Sequence, residues 1–386
     1  MKTPNRLRIC SFIQYYFPII GGTENQAKLL NEELVRRGHS VFVITSKVPG
    51  QPTNDDIGGV QVRRFCFPPL FWRPYGPSAV RFFSRSLRMA FFLWRRRKGT
   101  DVIHVHLLRE PALVAAFVNR FLKKPIVVKV ANSGMVGDVR YLCLLHLRPF
   151  FRRLIDELPH AVALNSEAAA EIAATFPATK VIHVLPNGVD HTRFLPRVQD
   201  HPQSRVCLIY CGRLASEKGL DTLLKAMIRL RSNLLVDQLL IAGDGPGRER
   251  LERLCAENDL EDRVRFLGRV DPETAYARAS IYVSASRAEG MPNAVLEAMA
   301  AGLVPVCSNI PGHQELILPG ITGFLFDTGD DAALATYVER LAGEEQLRKT
   351  LAVNARRRIE SGFSISAVAA RYEALYASLW EPGVEP

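Results

Sequence analysis

Short apolar runs alternate with segments of helical periodicity along most of the chain. The runs are rich in β-branched residues, as in VFVIT at 41–45 and PIVVKVA at 125–131. The segments between them place apolar residues at helical spacing, as in Glu24–Arg37 and Glu110–Leu122. Continuous β-branched strands separated by helices are typical of a parallel sheet that helices cover on both faces. The pattern therefore predicts an α/β fold with doubly wound parallel sheets.

The alternation starts again after a polar, proline-containing stretch at Phe194–Ser204. The predicted strands are 6–12, 41–45, 60–65, 101–106, 125–131, 161–166 and 181–186, then 205–212, 238–245, 263–268, 281–286, 304–309 and 323–327. We predict a first Rossmann-like domain at 1–194, a second at 205–363, and a C-terminal helix and tail at 364–386 that could pack on either domain. Ligands of such sheets bind beyond the carboxyl ends of the strands, so we expect the site in a central cleft that both domains face.

Positive charge is concentrated in the first half of the chain. Residues 1–190 hold 27 Lys and Arg against 13 Asp and Glu, whereas residues 191–386 hold 23 against 26. Much of the excess lies in Phe71–Gly99, where basic and apolar residues recur at helical spacing: Arg81, Arg85 and Arg88, with Phe82, Phe83, Leu87, Ala90, Phe91 and Trp94. Such a helix is typical of an element that binds an anionic membrane surface. A helix that packs its apolar face on the core explains the pattern about equally well, and no nucleic-acid-binding motif accompanies it.

Composition narrows the class of protein further. A hydrophobic fraction of 47% with 23% charged residues is ordinary for a folded chain. No apolar run reaches the roughly 18 residues of a membrane span. Polar residues and a proline interrupt the apolar N-terminus, so we expect a first strand there, in a cytoplasmic protein, rather than a signal peptide. The seven cysteines show no zinc-site spacing and most lie in apolar runs, so we expect small buried residues in a reducing compartment.

A pair of glutamates follows the strand predicted at 281–286. The segment runs from Glu289 through Gly-Met-Pro-Asn-Ala-Val-Leu to Glu297. Pro292 suits the first turn of a helix, which places Glu289 in the strand-end loop and Glu297 inside the helix. The backbone amides near Asn293 and Ala294 would then face an anion at the helix N-terminus. Taken alone, the two carboxylates are better explained without a ligand, with Glu289 as a partner of the helix dipole and Glu297 as a solvated helix residue.

Three other turns lie where a strand is predicted to end. Arg213 and Lys218 follow the strand at 205–212 and suit a diphosphate, because both donate charged hydrogen bonds. Gly21-Gly22-Thr23-Glu24 is a tight turn whose amides can approach a phosphate, although it is not a P-loop. Asn187-Gly188-Val189-Asp190 is a turn at the expected hinge.

These motifs occur in a fixed order along the chain. The order is Gly21–Glu24, Pro186–Asp190, Arg213 with Lys218, Gly243-Asp244-Gly245-Pro246, and Glu289 with Glu297. The ordered set resembles the retaining, GT-B-fold glycosyltransferases of family 4, also called glycosyl transferases group 1, over nearly the whole chain. The resemblance implies two Rossmann-like domains with a nucleotide sugar bound as a substrate rather than a cofactor. It also implies sugar transfer without a metal ion and with retention of anomeric configuration.

The resemblance assigns a role to particular residues of this chain. Arg213 and Lys218 would hold the donor diphosphate, and Glu297 would bind the ribose hydroxyls. Glu289 would contact the donor sugar and stabilise an oxocarbenium-like state, while the leaving phosphate accepts the proton of the acceptor. A Glu289 nucleophile is the alternative. The remaining donor contacts that the resemblance implies are Gly22, Leu267, Met291, Pro292, Asn293 and Ala294.

One part of the family pattern is missing. Many members place a His after the fifth strand of the first domain, whereas the strand at 125–131 continues into Asn132-Ser133-Gly134-Met135-Val136-Gly137-Asp138. Asn132, Ser133 or Asp138 could line the acceptor side instead. His104 and His106 share one face of a strand, and without a third ligand nearby we expect His104 to be packed and His106 to reach the cleft. The turn Gly243-x-Gly245-x-Gly247 is similar to a dinucleotide fingerprint, but Arg248 occupies the position of its last glycine. We therefore do not expect an NAD enzyme.

The function expected from these residues is sugar transfer from a nucleotide sugar, most simply a UDP-sugar, to a lipid-linked or oligosaccharide acceptor. This chemistry suits bacterial surface polysaccharide biosynthesis at the inner face of the plasma membrane, with nucleotide sugar, polyprenyl-diphosphate-linked saccharide and anionic membrane as partners. Among these features, only the basic stretch at Phe71–Gly99 supports a lipid-linked acceptor. A sugar-nucleotide epimerase, a glycan phosphorylase or a non-enzymatic membrane-binding protein are the alternatives. Charged residues at four separate strand ends argue against a non-enzymatic protein.

Overall fold

The computed structural model describes residues 6–19, 21–65, 79–108, 110–130, 153, 158–176, 181–196 and 205–380. Two parallel-sheet α/β units build the chain, which confirms the predicted fold class. The first takes residues 1–187 and 368–386, and the second takes residues 188–367. The division falls between Asn187 and Gly188, ahead of the polar stretch at Phe194–Ser204, whose residues 197–204 lie outside the described residues.

The first unit contains a sheet in the order β3-β4-β2-β1-β5-β6-β7-β8. Its strands are β1 Arg8–Phe12, β2 Ser40–Ser46, β3 Asn54–Ile57, β4 Val60–Phe65, β5 Val102–Val105, β6 Ile126–Val130, β7 His160–Ala163 and β8 Val181–Val184. All neighbours pair in parallel except β3 and β4. Every residue of β5 and β6 is buried, as expected for strands that are covered on both faces.

The antiparallel strand β3 is not among the predicted strands. Its sequence, NDDI, has no apolar alternation and resembles a loop. Gly58 and Gly59 have φ values of 62° and 80° and separate Ile57 from its partner Val60. Two consecutive residues with positive φ form the tight turn that matches the twist of a hairpin. The turn, rather than the hydrophobicity of the strand, therefore determines this hairpin.

The second unit contains a parallel sheet in the order β11-β10-β9-β12-β13-β14. Its strands are β9 Val206–Cys211, β10 Val236–Ala242, β11 Val264–Gly268, β12 Ile281–Ser284, β13 Val304–Ser308 and β14 Phe324–Phe326. Counted from β9, this is the 3-2-1-4-5-6 order of a Rossmann fold. The order reverses between β9 and β12, where the chain leaves one half of the sheet for the other.

Helices separate the strands in both units. They are α1 Gly22–Arg36, α2 Ala79–Arg96, α3 Glu110–Leu122, α4 Ser166–Thr175, α5 Leu220–Arg229, α6 Arg248–Ala256, α7 Pro272–Tyr276, α8 Asn293–Ala300, α9 Pro311–Gln314, α10 Asp331–Gly343, α11 Glu345–Arg358 and α12 Ile365–Leu379. Side chains cap α4 and α10, because Asn165 accepts the amide of Ala168 and Asp330 accepts that of Ala333. No helix in the described ranges is long and apolar enough to cross a membrane.

Most of α12 packs within the first unit. Glu373 accepts hydrogen bonds from the Arg37 guanidinium at 2.6 Å and lies 3.0 Å from the His39 ring. The Tyr376 hydroxyl is 2.7 Å from Nδ1 of His104. The chain therefore crosses between the units twice, once at Asn187 and once at the start of α12.

The cysteines behave as small apolar residues in the described part of the chain. Cys10, Cys207, Cys255 and Cys307 are buried, and Cys211 is half-buried at the end of β9. Burial raises the pKa of Cys211 and of Cys255 to about 11, which keeps both thiols protonated. Two further cysteines, at positions 66 and 143, lie outside the described residues.

Candidate active site

The reversal of strand order in the second unit brings two loops side by side. The first follows β9 and the second follows β12, which pairs with β9 directly. A crevice outside the carboxyl ends of the strands is the usual ligand site of such sheets. The two loops are also tied together, because the Arg287 amide donates to the carbonyl of Glu217 at 2.8 Å and its guanidinium donates to that of Ser216 at 2.6 Å.

The loop after β9 carries Arg213 and Lys218. The Tyr210 hydroxyl donates to the Arg213 carbonyl at 3.1 Å, which holds the start of the loop. The Arg213 guanidinium donates to Glu217 at 2.6 Å while 68% of its side chain remains exposed. A short 3₁₀ turn then presents Lys218, and Gly219 ends it at φ 62°. A Cβ at Gly219 would lie 2.1 Å from the Ala285 carbonyl oxygen, so the close approach of the two loops requires glycine here.

Glu289 lies at the centre of the second loop. Its Oε1 accepts hydrogen bonds from the Lys218 ammonium and from the Ser286 hydroxyl, the latter at 3.0 Å. The side chains of Lys218 and Glu289 are only 21% and 19% exposed, so the ion pair is largely removed from water. Opposite charges in such a place interact more strongly than a surface pair does. The structure thus brings together two residues that are 71 positions apart in the sequence.

Residues at and after the end of β13 hold the Glu289 loop in place. The Ser308 hydroxyl donates to the Ser286 carbonyl at 2.6 Å. A Cβ at Gly312 would lie 2.6 Å from the Glu289 carbonyl, so the backbone packs here without a side chain between. His313 is fully buried, with its Nδ1 2.7 Å from the Ser308 carbonyl. Burial lowers the pKa of His313 to about 4, so the ring is neutral and donates from Nδ1.

Helix α8 carries the second glutamate. It begins at Asn293, so Pro292 precedes the helix rather than lying in its first turn. Glu297 is half-buried one turn later, and the Tyr276 hydroxyl donates to its Oε2 at 3.3 Å. Burial raises the pKa of the Glu297 carboxyl to about 7, since the charged form is poorly solvated.

A glycine-rich loop after β10 completes this edge of the sheet. Cβ atoms at Gly243 and Gly245 would lie 1.9 and 2.6 Å from the carbonyl oxygens of Gly212 and Leu214. These glycines therefore allow two strand-end loops to pack backbone against backbone. The Gly243 amide donates to the Gly268 carbonyl at 2.7 Å, which places half-buried Leu267 beside this loop.

Comparison with known proteins matches both halves of the chain. Residues 20–193 match the family described as Glycosyltransferase Family 4, and residues 192–358 match the one described as Glycosyl transferases group 1. The chain belongs to the GT-B family 4 glycosyltransferases. Together the two matches include every motif of the ordered set.

Relatives of this glycosyltransferase act on different acceptors. The chain is 23% identical to the N-acetyl-alpha-D-glucosaminyl L-malate synthase of Bacillus anthracis, over 93% of this chain and 94% of that protein. It is 25% identical to the alpha-monoglucosyldiacylglycerol synthase of Streptococcus pneumoniae, over 89% and 81%. The structure of Anabaena Alr3699/HepE in complex with UDP superposes with a TM-score of 0.77 at 18% identity, over 96% of this chain and 100% of that one. The structural likeness shows the fold.

The site residues predicted for this glycosyltransferase are distributed over both units. The second unit holds Arg213, Lys218, Leu267, Glu289, Met291, Pro292, Asn293, Ala294 and Glu297 at the carboxyl edge of one sheet. Gly22 begins α1 in the first unit, after an extended Gly21. The segment 132–138 lies outside the described residues.

The prediction that His106 is accessible is wrong. His104 and His106 do share one face, with ring centroids 4.0 Å apart, but both are only 1% exposed. Ser11 is 2.9 Å from His106 Nε2, and burial lowers the pKa of His106 to about 3. Among the described residues, no three His, Cys, Asp or Glu side chains are grouped so as to hold a metal ion. The pair is therefore part of a buried polar cluster.

Sequence reasoning did not find three residues that build the site. Ser286 binds Glu289, Ser308 holds the backbone of Ser286, and Tyr276 binds Glu297. The two serines had a weak signal, since each lies where a predicted strand ends. Tyr276 had none, because it ends a short helix 21 residues before its partner.

Proposed function

We propose that the protein transfers a sugar from a UDP-sugar to a lipid-linked or oligosaccharide acceptor, with retention of configuration, in bacterial surface polysaccharide biosynthesis. The observation that carries the donor part is the Lys218–Glu289 ion pair at the strand reversal of the second unit. Arg213 and Glu297 lie on the same edge of that sheet. One edge therefore offers cations for a diphosphate and carboxylates for a ribose and a sugar.

The leaving group of this reaction is a nucleoside diphosphate. Arg213 keeps most of its side chain in solvent, and its guanidinium can turn toward phosphate oxygens as a bidentate donor. Lys218 can contact the diphosphate while it remains close to Glu289. The backbone N–H groups of Met291, Asn293 and Ala294, around the start of α8, favour negative charge nearby. Together these groups stabilise the charge that develops on the leaving phosphate.

Glu289 acts on the sugar in this proposal. Lys218 and Ser286 both bind its Oε1, which fixes the orientation of the carboxylate and lowers its nucleophilicity. The bond between the anomeric carbon and the phosphate oxygen breaks, and the acceptor oxygen bonds to the same face. The acceptor proton passes to the leaving phosphate. Glu289 orients the sugar and stabilises its developing positive charge, and NMR of the first-formed anomer tests retention.

The identity of the nucleotide can be tested by thermal unfolding. UDP is expected to raise the unfolding temperature more than GDP or ADP at equal concentration, because a ligand that binds only the folded state stabilises it in proportion to its affinity. The Anabaena structure with bound UDP supports this choice. CMP serves as a pyrimidine control without a diphosphate. A larger shift with GDP or ADP would reject uridine as the base.

Transfer is expected to continue after metal removal. Arg213, Lys218 and the start of α8 supply the positive charge that Mg²⁺ supplies in other transferases. We expect rates within about twofold of the untreated enzyme in 5 mM EDTA, an order-of-magnitude expectation from this charge balance. Addition of Mg²⁺ or Mn²⁺ to the treated enzyme is the control. A complete loss that either ion restores would contradict metal independence.

Helix α2 supports attachment to an anionic membrane. Leu87, Phe91 and Trp94 are 71%, 56% and 49% exposed and recur every three or four residues, so they form one exposed apolar stripe. Met89 and Leu93 on another side of the helix are buried in the core. The helix thus has two apolar faces, one packed and one in solvent, where a single face was predicted. Of the remaining predicted face, the side chains of Phe82 and Phe83 are outside the described part.

Basic residues flank the exposed stripe. Arg88, Arg95 and Lys98 are exposed, and the Arg95 guanidinium lies 5.8 Å from the Phe91 ring. Arg96 is exposed as well, but its guanidinium lies 5.1 Å from the ring of Phe42 in the core. Aromatic rings with adjacent cations favour the interface of an anionic bilayer. One relative is the alpha-monoglucosyldiacylglycerol synthase of Streptococcus pneumoniae, which supports a lipid acceptor.

Membrane attachment is tested with two variants of α2. Phe91→Ser/Trp94→Ser removes the aromatic stripe, and Arg95→Ser/Lys98→Ser removes two cations but retains Arg96. Each is expected to weaken binding to phosphatidylglycerol-containing vesicles about tenfold or more. The first loses apolar area that enters the interface, and the second loses two surface cations that contribute about 1 kcal/mol each. Co-sedimentation across a salt series measures this, because salt screens exposed charges over about 8 Å at physiological strength.

The control for these variants is Leu234→Ser. Leu234 is 76% exposed and belongs to the second unit, whereas α2 belongs to the first. It should sediment like the parent, and all variants should transfer sugar to a short water-soluble acceptor. If the parent binds pure phosphatidylcholine equally well, the preference for anionic lipid is rejected. If the α2 variants bind as the parent does, the stripe is not a membrane surface.

A further inference from the structure

A buried tyrosine directs its one polar atom at the carboxylate that we assign to the donor ribose. Tyr276 is fully buried at the end of α7, and its ring packs edge-on against Phe194 and Tyr282, with centroids 5.9 and 6.3 Å apart. Its hydroxyl lies 3.3 Å from Glu297 Oε2 and 3.2 Å from the Ala294 carbonyl. Both acceptors belong to α8.

We propose that Tyr276 is a positioning residue for donor binding, which holds Glu297 in the orientation that accepts the ribose hydroxyls. The inference rests on the proposed role of Glu297 in this enzyme. The rigid aromatic packing fixes where the hydroxyl points, and its single proton is shared between the Glu297 carboxylate and the Ala294 carbonyl, which both belong to α8.

The surroundings of Glu297 contain both signs of charge. Arg193 is the nearby cation, and its own partner is Glu273 at 2.7 Å, which lies on the same short helix as Tyr276. Asp271 is the nearby anion, and the Cys211 thiol is hydrogen-bonded to Tyr276. Burial raises the pKa of Glu297 to about 7, the Tyr276 hydrogen bond and Arg193 oppose that rise, and Asp271 adds to it.

These effects on the pKa of Glu297 predict how donor affinity depends on pH. Glu297 must be ionised to accept two ribose hydroxyls, so donor affinity should increase as the pH rises through about 7. The Tyr276 hydroxyl stabilises the ionised form, and its removal raises the pKa of Glu297 further. The variant therefore carries a greater protonated fraction at neutral pH, and its deficit in affinity should grow as the pH falls.

The test is Tyr276→Phe, which keeps the ring and removes only the hydroxyl. Binding of UDP is measured by calorimetry from pH 6 to 8.5. UDP itself gains a proton near pH 6, so the compared quantity is the ratio of variant to parent Kd, in which that titration cancels. We expect a ratio of about 10 at pH 7, from the loss of one hydrogen bond to a charged group. The ratio should rise at lower pH and decrease toward pH 8.5.

Two further variants complete the experiment. Glu297→Ala removes the carboxylate, and in that background Tyr276→Phe should change Kd less than about twofold, since coupled residues are not additive. Tyr337→Phe is the matched control, because its ring stacks on Phe324 elsewhere in the same unit and its affinity ratio should be near 1. Thermal unfolding of each variant confirms that it folds.

The outcomes separate this inference from the proposed function. If Glu297→Ala binds UDP as the parent does, the ribose role of Glu297 fails and the positioning role fails with it. If Glu297→Ala binds weakly but Tyr276→Phe binds normally, only the positioning role is overturned. A ratio that is the same at every pH and additive with Glu297→Ala would likewise overturn it, because a merely structural effect behaves in that way.

Discussion

Glu289→Gln is expected to lower the turnover number about 10²- to 10³-fold, the range found when one electrostatic contact to a transition state is removed. Glutamine has the size of glutamate and can still accept from Ser286, but it carries no charge to offset the developing oxocarbenium ion. Sugar transfer and donor hydrolysis measure the effect. Turnover within a few-fold of the parent would show that the carboxylate is not needed for the chemistry.

The same variant should bind UDP at least as tightly as the parent. In the free protein Lys218 is paired with Glu289, and a phosphate must compete for that ammonium group. Once the carboxylate is neutral, the competition is gone. Glu344→Gln is the matched control, because Glu344 is an exposed partner of Arg340 on the surface of the same unit. It should leave both turnover and affinity unchanged.

Lys218→Ala is expected to weaken UDP binding about 10- to 100-fold and to lower turnover as well. A hydrogen bond from a charged group contributes about 1.5–3 kcal/mol, and this one acts on a diphosphate in a place that is largely shielded from water. Calorimetry gives the affinity, and kcat with KM gives the effect on transfer. An unchanged Kd would remove Lys218 from the donor site.

Stability provides a second measurement for Lys218. Without its ammonium, Glu289 is left as a carboxylate that is only 19% exposed, so the unfolding temperature should fall. Lys218→Ala/Glu289→Gln should recover much of that loss, because no unpaired charge remains. Lys225→Ala removes an exposed lysine from α5 and is the control. Arg213→Ala should weaken UDP binding less, since that side chain is 68% exposed.

The strands followed from the sequence because their physical cause is local. Runs such as VFVIT and PIVVKVA are continuous and β-branched, and only a sheet that is buried on both faces suits them. Their observed bounds, Ser40–Ser46 and Ile126–Val130, differ from the predicted 41–45 and 125–131 by one residue at each end. The polar strand Asn54–Ile57 was missed because its cause is a turn with two positive-φ glycines.

The outward face of α2 shows where periodicity stops being informative. Helical spacing places Leu87, Phe91 and Trp94 on one side, and that side is normally the one that faces the core. Here the core takes Met89 and Leu93 instead. Periodicity identifies apolar faces, but the neighbouring elements decide which of them is covered. The accessibility of His106 was predicted wrongly for the same reason, because only the packing of Ser11 and His104 against its ring shows that the ring is buried.

By itself the sequence determined the α/β class, the loops that follow the strands and the charged residues in those loops, because all of these are set within a few residues of chain. The tertiary structure alone decided that Lys218 bonds to Glu289, that Ser308 and Gly312 support the Glu289 loop, and that Tyr276 reaches Glu297. Those contacts join residues on different strands and helices. They depend on which strands are neighbours, and the strand order is a property of the folded sheet rather than of any one segment.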